Sequence, residues 1–260
     1  MIGAIIGDIV GSRFEFDNIK TKDFELFTRD CDFTDDTVMT LAIAKALARR
    51  NDSEDFKQTL VRTMHEVGDK YPDCGYGGRF LDWILSESIK PYNSCGNGSA
   101  MRVSSVGWYA QNLTETEELA KLSAEVTHNH PEGIKGAQAV AGAIFLARTG
   151  ESKETIKKYV EHYYALDFTL DEIRPTYEYE IVCQTSVPQA IQAFLESTSF
   201  EDAIRNAISI GGDSDTIGAI TGSIAEAYYG VDEELKGTAL SYLDDYLLDI
   251  YEECIKAIAR

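Results

Sequence analysis

The sequence predicts an all-α protein, and three observations carry that expectation. Apolar residues recur at helical spacing, capping residues stand at the heads of the apolar runs, and only one short stretch alternates as a strand would. With 260 residues, 44% of them hydrophobic, the chain can build a sizeable core, and it shows no internal repeat or low-complexity linker. The expectation is a single domain over residues 1–260.

In chain order, Ile2, Ile5, Ile6, Ile9 and Val10 fall on one helical face, with Gly11-Ser12 as a stop. "CDFTDDTVMTLAIAKALARR" switches from Asp and Thr to an apolar run, which reads as a capped start followed by a buried helix. Thr114-x-x-Glu117 and Ser199-x-x-Asp202 resemble capping boxes, and Gly150-Glu-Ser152 opens "KETIKKYVEHYY" in the same way. Ala137 to Ala147 is small and apolar on every side, which places it in the middle of a helix assembly. From Asp232 onward the spacing predicts one or two helices, with a break at Gly237. "TYEYEIVCQ" alternates for about six residues, but Pro188 and its helical neighbours weaken a strand there.

A formal charge of −20, from 44 acids against 24 bases, repels nucleic acid and anionic membranes. Five cysteines without CxxC spacing read as scattered reduced thiols rather than a disulfide framework. The N-terminus lacks a basic leader region and Asp8 interrupts its apolar run. No other run approaches the ~18 apolar residues of a membrane span. These features predict a soluble, cytoplasmic protein.

Two acidic clusters stand out. Thr34-Asp35-Asp36-Thr37 and Asp213-Ser214-Asp215-Thr216 each place two carboxylates and flanking hydroxyls at the mouth of an apolar helix. The residues leave two readings open. Asp and Thr are good N-caps, for which one aspartate per helix suffices. Alternatively the oxygens hold divalent cations, and this hard ligand set suits Mg²⁺ or Mn²⁺. Gly211-Gly212 would let backbone approach such a site, and Gly218 and Gly222 would let the helix behind it pack closely. Neither cluster has the spacing of an EF-hand loop, a DDxxD diphosphate motif or the DxDxT motif of a phosphatase.

Five motifs, in order along the chain, resemble the ADP-ribosylglycohydrolase family: "GAIIGDIVGSRFEF" (3–16), "FTDDT" (33–37), "GNGSAMRVS" (96–104), "THNHPEGIKGA" (127–137) and "GGDSDTIGAITGSIAEAYYG" (211–230). The resemblance implies an orthogonally packed all-α domain and a binuclear Mg²⁺ or Mn²⁺ centre. It also implies hydrolysis of the bond joining ADP-ribose C1″ to an acceptor. Carried over by position, Thr34, Asp35, Asp36, Asp213, Asp215 and Thr216 would be metal ligands. Gly96, Asn97, Gly98, Ser99, Met101, Arg102 and His128 would bind substrate.

Glu15, between Phe14 and Phe16, matches the family glutamate beside the metal and the scissile bond. Partial desolvation would suit it to exchange protons as the catalytic acid/base. Gly96-Asn97-Gly98-Ser99 is either a turn or a backbone nest for a diphosphate, with Arg102 nearby; the family favours the nest. His128 and His130 form an HxH, but no third zinc ligand sits at suitable spacing. His128 matches an adenosine-pocket residue instead. "YPDCGYGGRFLDW" (71–83) is either a lid or a connection that packs Tyr76, Phe80 and Trp83 into the core.

The implied substrate is an ADP-ribosylated protein or a small ADP-ribose conjugate. Arginine-directed members carry an acidic residue just before the Gly-Asn-Gly loop, where this chain has Ser94-Cys95. Two other classes compete: a non-catalytic ADP-ribose binder or structural relative, and a Mg²⁺-dependent all-α hydrolase of another nucleotide or diphosphate.

Overall fold

Backbone contact between the two ends of the sequence organises the molecule. A computed structural model describes residues 1–51, 55–87 and 89–258. In it α1 (Ile2–Ser12) lies antiparallel to α13 (Ser214–Tyr229). A Cβ added at Gly7 would sit 2.0 Å from the Gly218 carbonyl oxygen, and one at Gly3 would sit 2.1 Å from that of Gly222. No side chain fits at these crossings, so the glycines spaced four apart set how closely the two helices meet. α1 is buried from Ile2 to Gly11 and α13 from Ser214 to Ala225, which explains why neither shows a polar face.

Around α13 pack α2 (Asp35–Ala48), α8 (Pro131–Arg148), α11 (Cys183–Leu195) and α12 (Phe200–Ser209). α8 contains the alanine-rich run, and it is buried along Gly136–Ala137 and Ala139–Ile144. Outside these lie α3 (Phe56–Gly68) on α2, α7 (Leu113–Glu125) and α9 (Lys153–Val160) on α8, and α15 (Asp245–Ile258) on α2. A single apolar cluster runs through the assembly. The fold is all-α, as expected. Among the described residues no helix is long and apolar enough to cross a membrane.

The caps follow the sequence closely, with exceptions. Ser152 and Ser199 accept from the N–H groups of Thr155 and Asp202 and open α9 and α12. At 114–117 no capping box forms. α7 begins two residues earlier, because Asn112 adopts an extended backbone and accepts from Glu115 N–H. Gly237 does not break the C-terminal region; it lies inside α14 (Glu233–Leu240), and the chain turns between Leu240 and Asp245 instead. The alternating stretch at 176–184 forms no ladder. It makes one antiparallel bridge, Gly96 to Val182, and α11 then begins at Cys183 and tolerates Pro188 in its second turn.

Candidate metal centre and active site

The first turn of α2 separates capping from the carboxylates. Asp35 N–H donates to the Cys74 carbonyl at 2.9 Å, Asp36 N–H to Thr34 Oγ1 at 3.2 Å, and Thr37 N–H to Asp8 Oδ2 at 3.0 Å. Neither Asp35 nor Asp36 caps the helix. Asp8 does part of that work from α1, and its carboxylate also accepts from Thr34 N–H and Thr34 Oγ1, at 3.0 and 2.8 Å. At α13, Asp213 is the N-cap residue but makes no side-chain capping bond. Asp213 Oδ2 instead accepts from Asn97 Nδ2 at 2.6 Å.

The two mouths meet. Thr216 Oγ1 donates to Asp36 Oδ2 at 3.1 Å across 180 residues of sequence. Carboxylate oxygens of Asp8, Asp36 and Asp215 lie within 4.8 Å of one another, as do those of Glu15, Asp213 and Asp215. Asp36, Asp213, Asp215 and Thr216 are therefore neighbours, with Asp8 beneath and Glu15 at the rim; Asp35 lines the same cleft without joining either carboxylate group, and Thr34 bonds to Asp8. Among the described residues, no lysine or arginine pairs with any of these six acids.

Electrostatics follows from that geometry. Burial pushes Asp8 up to about 6, against the pull of hydrogen bonds from Thr37 and Thr34. Burial, then repulsion from neighbouring carboxylates, holds Asp35, Asp36 and Asp215 well above the usual range. Glu15 is pushed up to about 7 by burial; its hydrogen bond from Tyr179 Oη, at 3.0 Å, opposes the shift, and Asp213 adds to it. A cluster of this kind is stable only when protonated or when cations compensate it. The all-oxygen ligand set fits a hard divalent cation. Asp36 Oδ1, buried and without a hydrogen-bond partner, points to a missing one.

Above the carboxylates opens a cleft of about 410 Å³, a size that suits a nucleotide-like ligand. Gly96, Asn97, Gly98, Met101 and Arg102 line one wall together with His128. Ser99 stands behind this wall, with its hydroxyl donating to the Gly133 carbonyl at 2.7 Å. The Arg102 guanidinium is fully buried. One nitrogen donates to Ser123 O and Thr127 Oγ1, while Nε and Nη1 have no partner, and burial lowers its pKa to about 10. His128 bonds to Thr127 Oγ1 through Nδ1 at 2.7 Å; burial, with Arg102 and Arg79, keeps its ring neutral. His130 is elsewhere, capping α8. In residues 71–83, Tyr76, Phe80 and Trp83 are buried, as the connection reading expects, and Gly75, Gly77 and Arg79 line the cleft.

A family model described as ADP-ribosylglycohydrolase matches residues 1–260. The chain belongs to the ADP-ribosylglycohydrolase family. It is 28% identical to ADP-ribosylhydrolase ARH3 of Homo sapiens, over 90% of this chain and 85% of that protein. It is 27% identical to ADP-ribosylarginine hydrolase Tri1 of Pseudomonas putida (strain GB-1), over 89% of this chain and 70% of that one. A solved structure described as an ADP-ribosylglycohydrolase-related protein complex superposes with a TM-score of 0.72 at 23% identity. It covers 99% of this chain and 95% of that one, and it supports the fold.

Within this ADP-ribosylglycohydrolase fold, the sequence reading passed over Asp8 and Tyr179. Asp8 appeared only as an interruption of an apolar run. The usable signal was its chemistry, since an ionisable residue on a helix buried all round needs partners. Tyr179 lay in the alternating stretch, and nothing local tied it to Glu15.

Proposed function

We propose that the protein is a metal-dependent hydrolase that cleaves the glycosidic bond between ADP-ribose C1″ and an acceptor, releasing ADP-ribose. The observation that carries this reading is the Thr216–Asp36 contact, which joins the two acidic helix mouths at the base of the cleft. Family membership and relatives named ADP-ribosylhydrolase ARH3 and ADP-ribosylarginine hydrolase Tri1 support it.

Thr34, Asp35, Asp36, Asp213, Asp215 and Thr216 would hold two Mg²⁺ or Mn²⁺ ions, with Asp8 fixing the Thr34 end of the site. Bound there, the ions supply charge compensation and Lewis-acid polarisation of sugar oxygens. The protein's own groups do the rest. Arg102, buried in the cleft wall, places a positive charge behind the loop that would face the diphosphate. Neutral His128 supplies a flat polar face above Gly98 for the nucleoside. Asn97, braced on Asp213, fixes the loop between these subsites.

Glu15 holds or releases a proton at the acceptor oxygen or nitrogen, or at the attacking water. Its pKa near neutrality suits both directions of transfer. Carboxylates beneath C1″ favour positive charge developing on the sugar as the bond breaks. The test is to incubate the protein with Mg²⁺ or Mn²⁺ and with arginine-, serine- or acetyl-linked ADP-ribose, and to measure free ADP-ribose. Binding without release from any conjugate would point to a binder, and release of AMP or phosphate to another hydrolase class.

A further inference from the structure

Glu15 and Asp213 are the two acids of the cluster that stand on irregular backbone. Glu15 follows the end of α1, and Asp213 follows Gly211 and Gly212, both at positive φ (+70° and +82°). The backbone contact of α1 with α13 ends at Gly11. Beyond it Ser214 Oγ of α13 donates to Phe14 O at 3.3 Å, and further links between the two segments come from outside the helices.

The side chain of Asn18 spans that gap. Its Nδ2 lies 2.6 Å from Phe14 O, 3.1 Å from Glu15 O and 2.9 Å from Gly212 O, and its Oδ1 accepts from Gly212 N–H at 2.7 Å. The amide orientation is fixed by that last bond, because a backbone N–H can only donate. One side chain thus grips both backbone polar groups of Gly212 and the carbonyl of Glu15. Two residues on, Lys20 Nζ donates to Ile210 O at 2.5 Å and to Tyr177 O at 2.6 Å, and so ties the Tyr179 segment to the same point. A Cβ at Gly211 would lie 2.9 Å from Asn18 Oδ1 and 2.8 Å from Lys20 Nζ, so the clasp also needs glycine there.

We propose that Asn18 is a positioning residue, which fixes the separation of Glu15 from Asp213 by bridging their backbones. The proposal rests on the reading of Glu15 as the acid/base. Asn18 is itself exposed, so water can replace its bonds when the side chain is lost, and global stability should change little. Geometry is what would suffer, and a displacement of about 1 Å at a reacting group costs about 10²-fold.

In Asn18→Ala, kcat should fall roughly 10- to 100-fold, while KM, ADP-ribose affinity and Tm stay close to those of the parent. Asn18→Leu, which fills the same space without the polar atoms, should behave alike and provides a second variant if alanine folds poorly. Combined with Glu15→Gln, Asn18→Ala should cost almost nothing further, because the group it positions is already disabled. An equal loss in both backgrounds, an unchanged kcat, or a parallel fall in Tm and ADP-ribose affinity would overturn the proposal. Crystal structures of parent and variant read the Glu15–Asp213 separation directly. They keep the test independent of turnover: inactivity of the parent on every conjugate would sink the proposed function, and an unmoved Glu15 would sink the clasp.

Discussion

Removing divalent metal should make the stability of this protein depend on pH in an unusual direction. Asp8, buried and without a cationic partner, has a pKa of about 6 in the folded protein against an ordinary 3.8. That difference disfavours its ionised form by on the order of 3 kcal/mol. Glu15 shifts the same way, to about 7 from 4.5, but it is only partly buried and its contribution is smaller. Both bind their proton more tightly in the folded state. Their stabilising effect is therefore complete below the ordinary carboxylate range and is lost as pH rises through about 6 and 7. The metal-free protein should accordingly lose stability between pH 5 and pH 8, where many proteins are most stable. About 1 kcal/mol of the Asp8 effect is still present at pH 5.5 and none at pH 8.0, which for a chain of this size corresponds to roughly 2–4 °C in Tm. Thermal melts with EDTA, and with Mn²⁺, at pH 5.5 and 8.0 would measure it. Mn²⁺ should raise Tm more at pH 8.0 than at 5.5, since at the lower pH it competes with protons. An EDTA-treated protein as stable at pH 8.0 as at 5.5, and indifferent to Mn²⁺, would refute this account of the carboxylate cluster.

Three further outcomes follow from the same geometry. Asp36→Asn should raise the melting temperature of the metal-free protein at pH 8, because a like charge is removed, yet reduce ADP-ribose release by more than about 100-fold, beyond what residues supporting a metal site usually cost. Gly7→Ala should destabilise by about 3 kcal/mol or more in urea unfolding, since its methyl meets backbone on α13 rather than a side chain that can move. Tyr179→Phe removes a hydrogen bond that holds Glu15 down, so the limb of the pH–rate profile that reports Glu15 should move to higher pH; turnover should fall by less than about 100-fold, because the acid itself remains.

The parts of this structure that read well from sequence are those written locally. Ser152 and Ser199 cap the helices they precede, and the doubled aspartates at 35–36 and 213–215 marked two helix mouths as more acidic than capping requires. Their meeting was legible only through the family motifs, because no local pattern records a hydrogen bond between Thr216 and Asp36. Where local signals competed, the backbone decided: Asn112 took the cap that Thr114 suggested. The alternation at 176–184 recorded a real property without the expected ladder. Tyr179 and Ile181 face the cleft on an extended segment that has one bridge and no neighbouring strand. Asp8 and Asn18 were hidden for a shared reason: each serves backbone groups far along the chain, Asp8 at Thr34 and Thr37, Asn18 at Gly212.

The contact between α1 and α13 also constrains how the chain is made. α1 leaves the ribosome well before its partner, which begins some two hundred residues later. At ordinary elongation rates of 5–20 residues per second, that is a wait of about 10–40 s. During it the N-terminal helix has no surface on which to bury its isoleucines, and Asp8 stands beneath a half-built site. The carboxylates can gather only after Asp213 and Asp215 have emerged. Nascent chains truncated before residue 213 should therefore be prone to aggregate and should retain no divalent cation, so that synthesis itself delays the chemistry until α13 has been made.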